Sequence, residues 1–209
     1  MTSSSRHGRT SVRSFRIWRS ILIGIAIALV LRALFVQFYV VESGSMAPGL
    51  QANDRLAVWK LARFTDINRG DIVIVDGTDS LAGAVEPDST FESLLRVMGI
   101  ERLENRLFVK RVIGLGGDHV VCCDAAGAIL LNGKALDEPY LGVGEAPSQI
   151  TFDVTVPAGH MWLMGDARSS SHDSRDLLGK PGGGMIAQDM VVGRVAFVAW
   201  PPARMRPVA

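Results

Sequence analysis

The sequence predicts a mainly β protein, an antiparallel β-sheet domain, closed or nearly so, preceded by one N-terminal transmembrane helix and carrying a short inserted helix. Three observations predict it. Short runs of β-branched and aromatic residues recur along most of the 209 residues, separated by tight-turn signals. One stretch near the N-terminus is apolar for roughly the 20 residues a helix needs to cross a hydrocarbon core. A further stretch, Asp88 to Leu103, places Phe91, Leu94, Leu95, Met98 and Leu103 at helical rather than strand spacing.

Residues 1–16 form a basic cytoplasmic tail, in which Met1 to Ser14, polar and rich in serine and arginine, have the composition of a disordered segment. Residues 17–38 form the predicted membrane helix, overlapping the apolar run Ser20 to Val41, whose only charge is Arg32. Arg32 falls towards the outer end, where its side chain can snorkel to the interface, and Phe35, Phe38 and Tyr39 fall near the head groups. Arg6, Arg9, Arg13, Arg16 and Arg19 precede the apolar run Ser20 to Val41 and Glu42 follows it, which puts the N-terminus in the cytoplasm and residues 39–209 outside it. The alternative is a cleaved secretory signal. Against it, the run from Ile21 to Leu31 leads into Arg32 and bulky residues rather than a small-x-small cleavage site.

Beyond the span, strands are predicted at Arg55 to Trp59, Asp71 to Asp76, Leu107 to Leu115, His119 to Cys123, Ile129 to Leu131, Ile150 to Val156, Met161 to Met164 and Val191 to Trp200. The connections Asn68-Arg69-Gly70, Gly116-Gly117-Asp118, Asn132-Gly133 and Pro157-Ala158-Gly159 carry the turn residues such strands need. The helix Asp88 to Leu103 is expected to pack on the β core, with the bilayer surface as the alternative. Of 22 basic and 21 acidic residues, six arginines and one acid precede Ser43. The remainder is therefore mildly acidic and gives no reason to expect a nucleic acid partner. Adjacent Cys122 and Cys123 suit neither a metal site nor a spaced disulfide framework. They read as strand packing, with a vicinal or intermolecular disulfide as the alternative.

Two segments carry chemistry. Ser43-Gly44-Ser45-Met46-Ala47-Pro48 lies just beyond the predicted span, so its serines would act at a membrane surface. Lys110 interrupts an apolar strand and, by alternation, shares a face with Phe108 and Val112, while Arg111 points the other way. Burial disfavours the ammonium and lowers a lysine pKa by up to 3–5 units in a fully apolar site, so Lys110 can serve as a neutral base for Ser45. Lys60, Lys134 and Lys180 stand in polar or turn-like contexts that keep them charged. The bland reading of Lys110 is a lysine snorkelling from a strand edge. A third segment, Gly165 to Arg175, reads GDARSSSHDSR and packs hydroxyls and charges into one loop. A His172 and Asp173 dyad serving Ser45 is conceivable, but neighbouring residues seldom converge as base and orienter.

SGSMAPGL at Ser43 to Leu50, RGDIVIV at Arg69 to Val75, VKRVIGLGGD at Val109 to Asp118 and GDARSSSHDSR at Gly165 to Arg175, in this order behind one N-terminal anchor, resemble the bacterial type I signal peptidases. These are membrane proteases of the Ser/Lys type. The resemblance covers the anchor and nearly all of the outer domain. It implies Ser45 as nucleophile and Lys110 as general base, with Ser43 Oγ and the Ser45 N–H as the oxyanion hole. It further implies that Ser171 orients Lys110 and that Asp173 and Arg175 form a supporting ion pair. The implied function is cleavage of N-terminal signal peptides from exported preproteins, beside a lipid bilayer, with no cofactor and no metal. The implied preference is for small residues one and three positions before the cut, for which Val41, Met46, Leu50 and Val109 are the candidate pocket residues. Three positions depart from the family pattern: Ala167 and Ser170 stand where asparagine is frequent, and Glu42 where proline is common. They bear on loop geometry, not on acid-base residues. The competing reading of a different class is a catalytically silent, membrane-anchored β domain that binds exported peptides.

Overall fold

A lysine can be held in an apolar strand only if neighbouring strands cover that strand on both edges, and the topology supplies them. The computed structural model describes residues 17–27, 35–61, 67–77, 100–102 and 107–208. The strands, in chain order, are β1 (Val36–Val40), β2 (Arg55–Trp59), β3 (Ile72–Asp76), β4 (Ile100–Arg102), β5 (Leu107–Leu115), β6 (His119–Cys122), β7 (Ile129–Leu131), β8 (Lys134–Ala135), β9 (Phe152–Thr155), β10 (His160–Met164), β11 (Ile186–Ala187), β12 (Val191–Trp200) and β13 (Arg206–Pro207). They form a nine-stranded sheet, ordered β11-β10-β5-β3-β12-β2-β1-β4 with β13 on β12, and a four-stranded sheet, β8-β7-β6-β9. Pairing is antiparallel except between β1 and β4. The ends of the larger sheet, β11 and β4, do not pair among the described residues, so the sheet is open there.

β5 is central, flanked by β3 and β10, and six of its nine residues are fully buried. Its alternation sorts the core: Val112 joins one buried cluster with Val73, Val75 and Leu163, and Phe108 packs against it, whereas Val109 joins another with Val41, Met46 and Ile74. A third cluster, around Trp162, Ile113 and Phe152, joins β5 and β10 of the larger sheet to β6, β7 and β9 of the smaller one. The β5–β6 turn is fixed by Asp118, whose Oδ2 accepts from the Leu115 N–H at 2.8 Å while Arg69 forks onto both oxygens at 2.7 Å. Gly117 takes a φ of +94° there, a conformation that favours glycine.

Several expectations need correction. Val36 to Phe38, the last three residues of the predicted span 17–38, lie in β1 and pair with β2, because a continuous apolar run reads equally as helix or buried strand. Residues 17–27 are helical, with Ile17, Trp18, Leu22 and Ile23 exposed. Residues 1–16 and 28–34 lie outside the described residues. Among the described residues no helix is long and apolar enough to cross a membrane. Most of the predicted helix Asp88 to Leu103 also lies outside them, but Ile100–Arg102 is strand β4, paired with β1. Cys122 and Cys123 are joined in a vicinal disulfide.

Candidate active site

The site forms where three separate segments meet at β5. Ser45 opens a tight turn after β1, in which Ala47 N–H donates to Gly44 O at 2.9 Å and Leu50 N–H to Met46 O at 2.8 Å. Lys110 lies in the middle of β5, directly across from Val73 of β3, on the face shared with Phe108 and Val112. Its Nζ donates to Ser45 Oγ at 3.0 Å. Ser43 Oγ lies 3.2 Å from Ser45 Oγ. Among the described residues no backbone carbonyl accepts from the Ser45 N–H.

Lys110 is 3% exposed. Burial pushes its pKa down to about 8, against the upward pull of the Asp173 carboxylate and with a smaller downward push from Arg175. A substantial neutral fraction at mildly alkaline pH follows, so the amine can accept a proton from the hydroxyl it contacts.

The loop from Gly165 closes the site from behind. Ala167 N–H donates to Ser45 O at 3.1 Å, and Ser170 N–H to Ala167 O at 3.1 Å. Ala167 and Ser170, two of the three positions that depart from the family pattern, thus bind through their backbones. A Cβ on Gly165 would meet Ser171 Oγ at 2.1 Å and Ser45 O at 2.5 Å, so only glycine fits this close approach. Gly165 N–H donates to Asp173 Oδ2 at 2.9 Å, and Arg175 forks onto the same carboxylate with Nε and Nη2, both at 2.8 Å. Burial would raise the Asp173 pKa, but the Arg175 hydrogen bonds and charge and the Gly165 N–H outweigh it and hold it below the usual range. The Ser171 hydroxyl also favours the ionised Asp173, although no contact of hydrogen-bond geometry joins them and Ser171 Oγ is buried without a partner. The expected Ser171 to Lys110 bond is therefore not formed.

His172 is half exposed and faces Asp176 through Nδ1 at 3.3 Å, so the His172 and Asp173 alternative does not form. Lys134 and Lys180 are exposed. An open cleft of about 250 Å³ beside Ser45 and Lys110 is lined by Val41, Met46 and Val109, with Leu107, Phe108, Glu42 and Ser43 completing it. Leu50, the fourth pocket candidate, is fully buried in the core behind Met46 and does not line the cleft. Among the described residues no group of three or more His, Cys, Asp or Glu is arranged to hold a metal ion.

Sequence reasoning missed the charged frame around the site. Arg111 leaves β5 on the face opposite Lys110 and meets Asp166 through two bonds of 2.8 Å, both side chains buried. The Tyr140 ring lies 3.9 Å from the Arg111 guanidinium carbon, and its hydroxyl donates to Glu138 at 2.9 Å. Glu138 in turn pairs with Arg168, whose Nε donates to Gly165 O at 3.0 Å. The available signal was Arg111 itself, a second cation in a buried strand and so in need of an acid.

The sequence profile of the family described as signal peptidase, peptidase S26, matches residues 14–200. The chain belongs to that family. It is a signal peptidase, and by family a serine endopeptidase. Signal peptidase I of Bacillus licheniformis is 34% identical over 192 residues, covering 88% of this chain and 87% of that protein. Signal peptidase I T of Bacillus subtilis (strain 168) is 31% identical and covers 98% and 95%. The crystal structure of a signal peptidase I from Enterococcus faecalis V583 matches 63% of this peptidase and 98% of its own chain, at 23% identity and a TM-score of 0.42.

Proposed function

We propose that this signal peptidase is membrane-bound and removes N-terminal signal peptides from exported preproteins with a Ser45/Lys110 dyad. The observation that carries the reading is the 3.0 Å contact between Ser45 Oγ and the Nζ of a buried lysine. Ser45 Oγ attacks the scissile carbonyl while neutral Lys110 takes its proton. The oxyanion that forms is held by the Ser45 N–H and the Ser43 hydroxyl, a donor set typically worth roughly 2.7–4 kcal/mol per donor. Lys110 then hands its proton to the departing amine, leaving the acyl group on Ser45 Oγ. Water resolves the acyl-enzyme, with Lys110 again accepting the proton.

Val41, Met46 and Val109 give the cleft shallow apolar walls, which suit small side chains such as alanine one and three positions before the cut. Asp173 and Arg175 hold the Gly165 loop against Ser45. The bilayer reading is supported by the exposed apolar side chains of residues 17–27. It is supported too by the sheet that follows them, where Phe35 stacks on the exposed Trp59 at 6.1 Å. Such aromatic residues favour the interface. In this arrangement the N-terminus is cytoplasmic and the catalytic domain lies on the other side.

The test is cleavage of a synthetic preprotein by the full chain in detergent. Wild type cleaves; Ser45→Ala and Lys110→Ala do not; and kcat/KM rises with pH through a midpoint near 8. A profile flat from roughly pH 6 to 10 would rule out the lysine base. Absence of cleavage by wild type and Ser45→Ala alike would favour the silent binding domain.

A further inference from the structure

The turn that carries Ser45 is clamped by residues the chemistry above does not use. The turn returns to its own start: Asn53 N–H donates to Val41 O at 2.7 Å, and Val41 N–H to Asp54 O at 2.9 Å. Val41, which lines the cleft, and Asp54 are thus one unit. The Asp54 side chain is 1% exposed, and its Oδ2 accepts from the Gln51 N–H at 2.9 Å. Arg204, in a 3-10 turn at Pro202–Arg204, lays a fork on this carboxylate, Nε to Oδ1 at 2.8 Å and Nη2 to Oδ2 at 2.9 Å. The same Nη2 reaches Gly49 O at 3.1 Å, and Arg206 of β13 donates to that carbonyl as well. β13 is itself fixed on β12 through Phe197 and Val198.

Two features make this more than a distant brace. The fork grips the turn at two points, at Gly49 four residues after Ser45 and at Asp54 where the turn rejoins the cleft wall. Only a guanidinium presents planar donors able to meet both carboxylate oxygens and a carbonyl together; a lysine ammonium can satisfy one or two at most. From the other side, the Ala167 N–H holds the nucleophile's carbonyl, and Lys110 and the exposed Ser43 hydroxyl hold its hydroxyl.

We infer that Arg204, supported by Arg206, is a positioning residue that sets the Ser45 hydroxyl against Lys110 and the scissile carbonyl. The inference rests on Ser45 as the nucleophile. Displacing a reacting atom by about 1 Å can reduce a rate by roughly a hundredfold without changing how substrate is held. Loss of the fork is therefore read in kcat.

The experiment compares wild type, Arg204→Ala, Arg204→Lys and Ser45→Ala, as full chains in detergent, on one peptide with alanine one and three positions before the cut. Arg204→Ala is expected to lower kcat roughly ten- to a hundredfold with KM within about twofold. Its kcat/KM midpoint should stay at the wild-type pH, because Lys110 keeps its surroundings, and Arg204→Lys should recover part of the loss. Rates are taken per folded molecule, from thermal unfolding at the assay temperature. If Arg204→Ala does not fold, the paired exchange Asp54→Asn with Arg204→Gln, which leaves no buried charge, reads the same quantity. A kcat within twofold of wild type in the folded variant would overturn the inference. So would a loss carried by KM, a shifted pH midpoint, or Arg204→Lys no better than Arg204→Ala. Wild-type cleavage by Ser45→Ala would instead overturn the nucleophile assignment and leave the clamp a plain structural contact.

Discussion

Lys110→Met should make this protein more stable while abolishing its activity. The buried amine has a pKa of about 8 in the folded protein, against about 10.4 in an exposed chain. At about 1.4 kcal/mol for each tenfold difference, charging Lys110 in the fold costs about 3 kcal/mol more than charging it in the unfolded chain. At pH 7 both states are protonated, so the whole penalty is present. Between pH 8 and about 10.4 the folded protein binds fewer protons than the unfolded one, so wild-type stability rises with pH through that window and is flat below it. Methionine has similar length, no charge, and flexibility enough to fill the slot among Phe108, Val112 and Val73. The Ser45 hydroxyl keeps its contact with Ser43 Oγ and, being partly exposed, can also turn to water.

The expected gain at pH 7 is up to about 3 kcal/mol, a rise of roughly 6–12 °C in Tm for a chain of this size. Thermal unfolding of the two proteins in one detergent, at pH 7 and at pH 10, measures it. The difference should shrink towards zero at the higher pH, and other titrating groups cancel because both proteins share them. An equal or lower Tm for Lys110→Met at pH 7, or a difference independent of pH, would refute the claim that Lys110 is desolvated. The lowered pKa proposed to serve catalysis would fall with it.

Gly165→Ala forces a methyl group to within 2.1 Å of Ser171 Oγ and 2.5 Å of Ser45 O. It should destabilise the fold by about 1–3 kcal/mol and cut cleavage by the folded fraction roughly a hundredfold; urea unfolding with peptide cleavage reads both, and activity within twofold of wild type would contradict the close approach. Asp173 and Arg175 pull the Lys110 pKa in opposite directions. Asp173→Asn should therefore move the kcat/KM midpoint to lower pH and Arg175→Met to higher pH, each single change destabilising by about 3–5 kcal/mol because a buried partner is stranded. The double variant should lose less than the sum and return the midpoint towards wild type; additive losses in a denaturation series would show that the two do not act as a pair.

Local chemistry determined how much of this was legible in advance. β2, β5, β7 and β12 begin and end at the predicted residues, because alternation and turn residues lie within the strand and its ends. β1 was read as the end of a membrane helix, since VQFYV follows an apolar run without a break. β8, β11 and β13 are two residues each and rely on partners elsewhere in the chain rather than on any pattern of their own. At the site, Ser45 Oγ meets Lys110 Nζ and Asp173 meets Arg175, contacts within the segments that carry the family resemblance. Leu50 was misplaced because a turn, unlike a strand, does not tell one side of a short apolar stretch from the other.

The charged partners were the least legible part, and their placement bears on why the Lys110 pKa is governed by burial. Arg111 finds Asp166 55 residues away, Arg168 finds Glu138 30 away, and Arg204 finds Asp54 150 away, so no local pattern could have paired them. Each cation sits against its own acid, which limits the net field it sends to Lys110. At the amine burial against the apolar face of β3 and β5 is the largest influence, Asp173 pulls the pKa up and Arg175 pushes it down, and Asp176 and Asp166 add smaller upward pulls. A free acid beside Lys110 would hold the ammonium charged; a free arginine would lower its pKa further but repel the proton it must accept. Pairing around the site keeps these pulls below the effect of burial, which sets the Lys110 pKa at about 8, a value that suits the proposed role as base for Ser45.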